Sequence, residues 1–252
     1  RILPDGTNNR FLVQRLKDKC GNRSNASSEI EYQDTWALLV GEEGRGIREI
    51  LSHAHLTRLD FAAGSAGLMR QALTLAISHA QSRTGFGRPM AELPMQANVL
   101  ADLSLESEAA MLGALRVAAA TDGIQTDERE RLFARVATPV MKFWNCQRAA
   151  YFVYECVQVH GGNGFIMENP MARLYREAPL NSIWEGTSNM MCLDVLRAMQ
   201  REPGCRDAFM DELRQQQGQN ATFDRALGDL ATRLDRGLDS EGFARDVVTR
   251  MA

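Results

Sequence analysis

Three short stretches of the chain carry residue types that packing alone does not call for. In Asn181-Ser182-Ile183-Trp184-Glu185-Gly186-Thr187-Ser188-Asn189, a carboxylate sits between an indole and a glycine just ahead of a helical stretch. Burial against Trp184 would raise the Glu185 pKa and ready it as a base. Backbone amides beside a helix N-terminus can stabilise an oxyanion. In Arg83-Thr84-Gly85-Phe86-Gly87-Arg88-Pro89, two glycines leave the backbone accessible while Arg83 and Arg88 can pair with phosphate oxygens. In Gln158-Val159-His160-Gly161-Gly162-Asn163-Gly164-Phe165, three glycines let a ligand or another backbone approach closely. Each also has a plainer explanation: a solvated glutamate in a loop, a basic helix C-cap, and a tight inter-helix turn. Taken singly, the plainer one is favoured.

These stretches need helices to position them, and the apolar spacing supplies four. Leu59, Ala62, Ala63, Ala66, Met69, Leu73, Ala76, Ile77 and Ala80 recur at intervals of three and four, predicting one long helix that stops near residues 85–89. A second runs from about 95 to 121. Thr126 fits the N-cap of a third, with Asp127 and Glu128 in its first turn and a perturbation expected at Pro139. The third reaches about residue 160, and a fourth covers about 187 to 200. Long helices with short connections predict an antiparallel bundle. Before them, Phe11 to Leu16 and Ser28 to Tyr32 read as strands around a turn-rich connector, Cys20 to Ser27. After them, Pro203-Gly204 punctuates the chain, and two or three amphipathic helices follow, with residues 215–220 as a plain loop. The expected units are residues 1–42, strand-rich; 43–202, the bundle; and 203–252, an additional helical segment that breaks off. The opening Arg1, without an initiator methionine, predicts a fragment.

Composition narrows the function. With 252 residues, 44% apolar, 24% charged and a net charge of −3, the chain is ordinary globular protein, unlike a phosphate-binding domain with clustered positive charge. No apolar run approaches the roughly 18 residues that a membrane span needs, and residues 1–6 are no signal peptide. The five cysteines are scattered without a C-x-x-C, which favours reduced, mostly buried thiols. No metal site is expected: His53 and His55, two apart, diverge on a helix.

Order and spacing then make the three stretches specific together. The set Arg-x-x-Phe-Gly, Gln-x-x-Gly-Gly-x-Gly-Phe, Arg-x-x-Arg-Glu (Arg173 to Glu177) and Glu-Gly-Thr resembles the acyl-CoA dehydrogenases, over about residues 10–200. Residues 15–19, 21–27 and 181–197 are most similar to the AidB-like branch of adaptive-response flavoproteins. The resemblance implies a mainly α fold. Its core is the C-terminal four-helix bundle of the acyl-CoA dehydrogenase type, preceded by part of a middle β-domain and followed by extra helices. It implies FAD-dependent α,β-dehydrogenation of an acyl-CoA, an oxidoreductase activity. Glu185 stands at the catalytic base, and Gly186 beside the substrate thioester. Thr187, Ser188 and Asn189 match a flavin-contacting segment, and Arg83 and Phe86 match residues touching FAD. Gln158, Gly161 and Gly162 match the loop holding its adenosine half. Arg58 matches an arginine at the acyl-CoA site, and Trp184 would wall the pocket. The family's habit of sharing cofactor contacts between subunits implies a homo-oligomer, a dimer or dimer of dimers. The electron acceptor would be an electron-transferring flavoprotein, and the compartment cytoplasm or an organelle matrix.

Two positions depart from the family pattern. Pro94 stands where many members have a FAD-contacting glutamine eleven residues after Arg83, and His55 where many have an acidic residue three before Arg58. Arg197 reads either as an ion-pair partner, for instance of Asp194, or as a side chain limiting the acyl pocket. The alternative function is an AidB-type flavoprotein whose C-terminal helices bind duplex DNA. Against it, residues 198–252 hold eight arginines, no lysine and ten acidic residues, a net of 8 − 10 = −2. Asp224, Asp229 and Asp235 interleave with Arg225, Arg233 and Arg236.

Overall fold

A computed structural model describes residues 2–202, 204–237 and 241–252, so Pro203 and the Arg236 side chain lie outside the described set. The chain divides into two compact units, Arg1–Ala54 and His55–Ala252. In the first, strand β1 (Leu12–Leu16) pairs antiparallel with β2 (Ser28–Glu31), Leu12 opposite Glu31 and Leu16 opposite Ser28. Arg15 reaches across the ladder to Glu29 at 2.9 Å. Helix α1 (Gly46–Ser82) starts in this unit and continues through the second.

In the second unit a two-residue-per-strand hairpin, β3 (Thr84–Gly85) and β4 (Arg88–Pro89), leads to α2 (Pro94–Gly123). Pro94 occupies the first turn of α2, where its missing N–H costs nothing. Helix α3 (Glu128–His160) follows. Its N-cap is Asp127, not the expected Thr126: the carboxylate accepts from the Arg129 and Glu130 N–H groups, while the Thr126 hydroxyl turns back to the Gly123 carbonyl. Nor does Pro139 break the helix, which runs on through it; Pro139 is buried, as are Val136, Val140 and Phe143 on the same helix. The helix ends at Gly161, whose φ of +60° and ψ of −145° suit glycine.

A short helix, α4 (Pro170–Glu177), is capped by Asn169, and α5 (Ser188–Arg201) is the fourth long segment of the bundle. Three amphipathic helices complete the described chain: α6 (Gly204–Arg214), α7 (Ala221–Gly237) and α8 (Ala244–Met251). Asn220 caps α7 by accepting from Thr222 N–H at 2.8 Å. The fold is thus mainly helical, as the sequence predicts.

Helix α3 is the hub. Its C-terminal half (Ala149, Phe152, Val153, Cys156) packs into a cluster with Ala66, Met69, Leu73 and Ala76 of α1, and with Leu100 and Leu103 of α2. Its N-terminal half (Phe133, Val136, Val140, Phe143) builds a second cluster with α5, α6, α7 and α8. Of the predicted α1 stripe, Ala63 alone is exposed. Alanines on α1 and α2 let the helices approach closely, and Asn145, fully buried, donates to the Ala62 carbonyl at 3.2 Å and the Ala110 carbonyl at 3.0 Å. Cys146, Cys156, Cys192 and Cys205 are buried free thiols, whereas Cys20 is exposed. Burial pushes Cys146 up to about 11 and Cys156 up to about 12. No described helix is long and apolar enough to cross a membrane.

Candidate active site

Glu185 lies in the turn between a short 3-10 segment, Leu180–Ser182, and the start of α5. Its φ is +54° and that of Gly186 is +103°, two successive left-handed residues. For a non-glycine side chain that conformation costs roughly 1–2 kcal/mol and persists only where surroundings enforce it. Here three carbonyls in a row are held by cations. The Lys142 ammonium, from α3, donates to the Trp184 carbonyl at 3.0 Å and also to the Gly186 carbonyl. Arg58 Nε, from α1, donates to the Glu185 carbonyl at 3.1 Å. The Glu185 N–H has no acceptor among the described residues.

Arg58 is itself fixed, its Nη1 pairing with Asp194 of α5 at 2.9 Å. The other Asp194 oxygen takes Arg135 of α3 at 2.8 Å. Burial alone would raise the Asp194 carboxyl, but the Arg135 hydrogen bond and the charges of Arg135 and Arg58 outweigh it and hold the group below its usual range. His55 lies against the same cluster; burial first, then Arg135 and Arg58, push it down to about 4, so it is neutral. Arg197 does not pair with Asp194, whose oxygens are taken by the other two arginines; it is exposed and forms no ion pair among the described residues.

Trp184 does not shelter Glu185 as expected. Its ring stacks on Phe61 instead, centroids 4.7 Å apart at 18°, because α1 offers a flat apolar partner on the core side. The Glu185 side chain is exposed. Asn189, expected in the flavin-contacting segment with Thr187 and Ser188, accepts from Arg245 of α8 at 3.0 Å. Thr187 is exposed and Ser188 half-buried at the head of α5.

A second locus gathers the other two motifs. Arg83, Gln158, Gly161 and Gly162 line one cleft of about 300 Å³ with His79, Met90 and His160. The His79 and His160 rings stack at 4.6 Å, and burial, His160 and Arg83 together lower the His79 pKa. Beyond Gly161 and Gly162 a Cβ would meet nothing within 4 Å, so the backbone there is open to a ligand. The Arg83 guanidinium forms no ion pair among the described residues. Open glycine backbone beside an uncommitted cation fits a phosphate-bearing group. Gln158 donates to Glu155 at 3.0 Å. Phe86 is not in this cleft: at φ +52° on the hairpin tip it is 96% exposed and borders a separate apolar groove with Leu93, Pro94, Met95 and Gln96.

Residues 44–200 match the family model for the acyl-CoA dehydrogenase C-terminal domain. The chain belongs to the acyl-CoA dehydrogenase family. AidB of Escherichia coli (strain K12) is 45% identical over 242 residues, which is 96% of this chain and 44% of that protein. Among solved structures, Caenorhabditis elegans ACDH-11 in complex with C11-CoA superposes with a TM-score of 0.90 at 27% identity, covering 99% of this chain and 46% of that one. Butyryl-CoA dehydrogenase from Megasphaera elsdenii gives 0.69 at 27% identity over 76% of this chain and 49% of its own. The chain therefore spans less than half the length of these acyl-CoA dehydrogenase relatives.

Lys142, Arg135, Asp194 and Phe61 carry the Glu185 turn, yet no motif points to them. For Lys142 a signal existed: a lone lysine in the run Val140-Met141-Lys142-Phe143-Trp144, on the helical stripe of Pro139, Cys146 and Ala149. A charge on that buried stripe needs an internal partner.

Proposed function

We propose that the protein is an FAD-dependent acyl-CoA dehydrogenase, in which Glu185 removes the substrate α-proton. The observation that supports this most is the Glu185 turn: a carboxylate presented from a left-handed residue, its main-chain carbonyls anchored and its own N–H unused. The Glu185 carboxylate takes the α-proton, and the electron pair left on the α-carbon closes the α,β double bond as a hydride departs from the β-carbon. FAD, when bound, supplies the acceptor for that hydride. The Glu185 N–H is free to donate to the thioester carbonyl and so acidify the α-carbon. A base that must reach a carbon atom needs an open face, which Glu185 has. The wall against water must then come from bound substrate and cofactor rather than from Trp184.

The cleft of Arg83, Gly161 and Gly162 would hold the phosphate and adenosine portion of FAD, with Arg83 pairing phosphate oxygens and the glycines allowing close approach. Thr187 and Ser188 would serve the flavin side, and Gly186 the thioester. The ACDH-11 complex with C11-CoA supports an acyl-CoA thioester as the substrate class. Phe86, so fully exposed, would be covered by a second subunit, making a homo-oligomer. An electron-transferring flavoprotein would reoxidise the enzyme in the cytoplasm or an organelle matrix. Duplex DNA binding by α6 to α8 has less support, because Arg206, Arg233 and Arg250 are paired with Asp235 and Asp246, and Arg214 with Asp211.

The test is Glu185→Gln in the full-length protein. The variant should bind FAD and stay yellow when mixed anaerobically with acyl-CoAs that bleach the wild type; equal bleaching would remove Glu185 from the role.

A further inference from the structure

Lys142 has 0% of its surface exposed, near the middle of α3, and forms no ion pair among the described residues. Burying an ammonium without a carboxylate is unfavourable, and a methionine would fill the same slot more readily. Both its hydrogen bonds run to one place: the carbonyls of Trp184 and Gly186, the residues immediately before and after Glu185. Arg58 holds the carbonyl between them. A cation that merely stabilised helix packing would have no reason to bracket a single residue of a strained turn. The glycine in that turn is also hemmed in, a Cβ there lying 2.8 Å from Met191 Cε and 3.3 Å from Met190 Cβ.

We propose that Lys142 is the positioning residue for the Glu185 carboxylate. By gripping the carbonyls on both sides it holds the turn in the conformation that presents Glu185. It acts through the turn and does not touch substrate. Burial is the main influence on the Lys142 ammonium and lowers its pKa, with Cys146 of its own helix, Arg58 of α1 and Glu185 acting on it less. This inference rests on Glu185 being the base, and the experiment separates the two ideas.

In the full-length FAD protein, Lys142→Met, Lys142→Gln and Lys142→Arg would be compared with wild type and Glu185→Gln. A displacement of a reacting group by about 1 Å costs on the order of 100-fold. The expected result for Lys142→Met is therefore a fall of roughly 10- to 100-fold in the rate of flavin bleaching, with the KM for acyl-CoA within about 3-fold. Lys142→Arg, which keeps a donor cation for the two carbonyls, should recover part of the rate. A crystal structure of Lys142→Met should show the Trp184–Gly186 turn displaced. An unmoved turn, or bleaching by Lys142→Met at the wild-type rate, overturns the proposal. Should Lys142→Met fail to fold, Lys142→Gln, a donor without charge, decides by the same readouts. If Glu185→Gln bleaches normally, the base assignment fails, while the turn in the Lys142→Met structure still decides the clamp.

Discussion

Gly186 shows at the residue scale why the Glu185 turn tolerates so little change. At φ +103°, with Met191 Cε 2.8 Å and Met190 Cβ 3.3 Å from where a Cβ would sit, Gly186→Ala meets both strain and a backbone-anchored neighbour. It should cost about 1–3 kcal/mol, read as a lowered urea midpoint or Tm. His55 makes a second prediction, in pH. Above pH 6.5 folded and unfolded chains both hold it neutral. Between 6.5 and about 4 the unfolded chain takes up a proton that the folded one refuses, so stability falls as the pH drops through that window and falls no further below it. The ceiling is about 3 kcal/mol. His55→Gln should flatten that part of the stability curve in urea titrations from pH 4 to 7.5; an unchanged slope would locate the acid sensitivity elsewhere. The sequence made Glu185 and Gly186 visible because motif residues are contiguous, and Arg58 only through the family resemblance. It could not show that Arg58 is spent on Asp194 and the Glu185 carbonyl, nor that Trp184 faces Phe61, because those partners come from distant elements.

Between elements, one side chain ties three helices. Arg116 of α2 pairs with Glu130 of α3 at 2.8 Å and with Glu212 of α6 at 2.6 Å, and its guanidinium lies 4.4 Å from the Phe133 ring centroid. Each carboxylate is about one-quarter exposed, so solvent screens the cluster only in part. Arg116→Ala would leave Glu130 without its ion pair and Glu212 with only the longer contact to Arg129 at 3.6 Å, and would lose the ring contact. A destabilisation of about 1–3 kcal/mol is expected, partly relieved by Glu212→Gln in the same chain. Independent, additive effects in that double-mutant cycle would contradict the coupling. At this scale the sequence was informative, since the long helices declare themselves by a period of three to four over many turns. Helix α4 stayed hidden because eight residues give barely two turns of pattern. The start of α3 was misplaced by one residue because Thr126 and Asp127 are both good caps, and only geometry shows which side chain turns forward.

For the whole molecule, the large apolar side chains left bare are the informative feature. Phe86 is 96% exposed and Met95 84%, on the hairpin and the start of α2. Assembly would explain both, and Phe86→Asp should shift the full-length protein to a smaller species in sedimentation velocity; an unchanged species would place the interface elsewhere. Cofactor loss alongside that shift would link assembly to the cleft of Arg83 and Gly161. The most direct test of the account concerns proton removal alone. Incubated with an acyl-CoA in D₂O, the wild-type FAD protein should exchange the substrate α-hydrogens for deuterium, read by mass spectrometry. Glu185→Gln should slow that exchange on the order of 10²- to 10⁴-fold with FAD still bound. Exchange by Glu185→Gln at the wild-type rate would contradict the account.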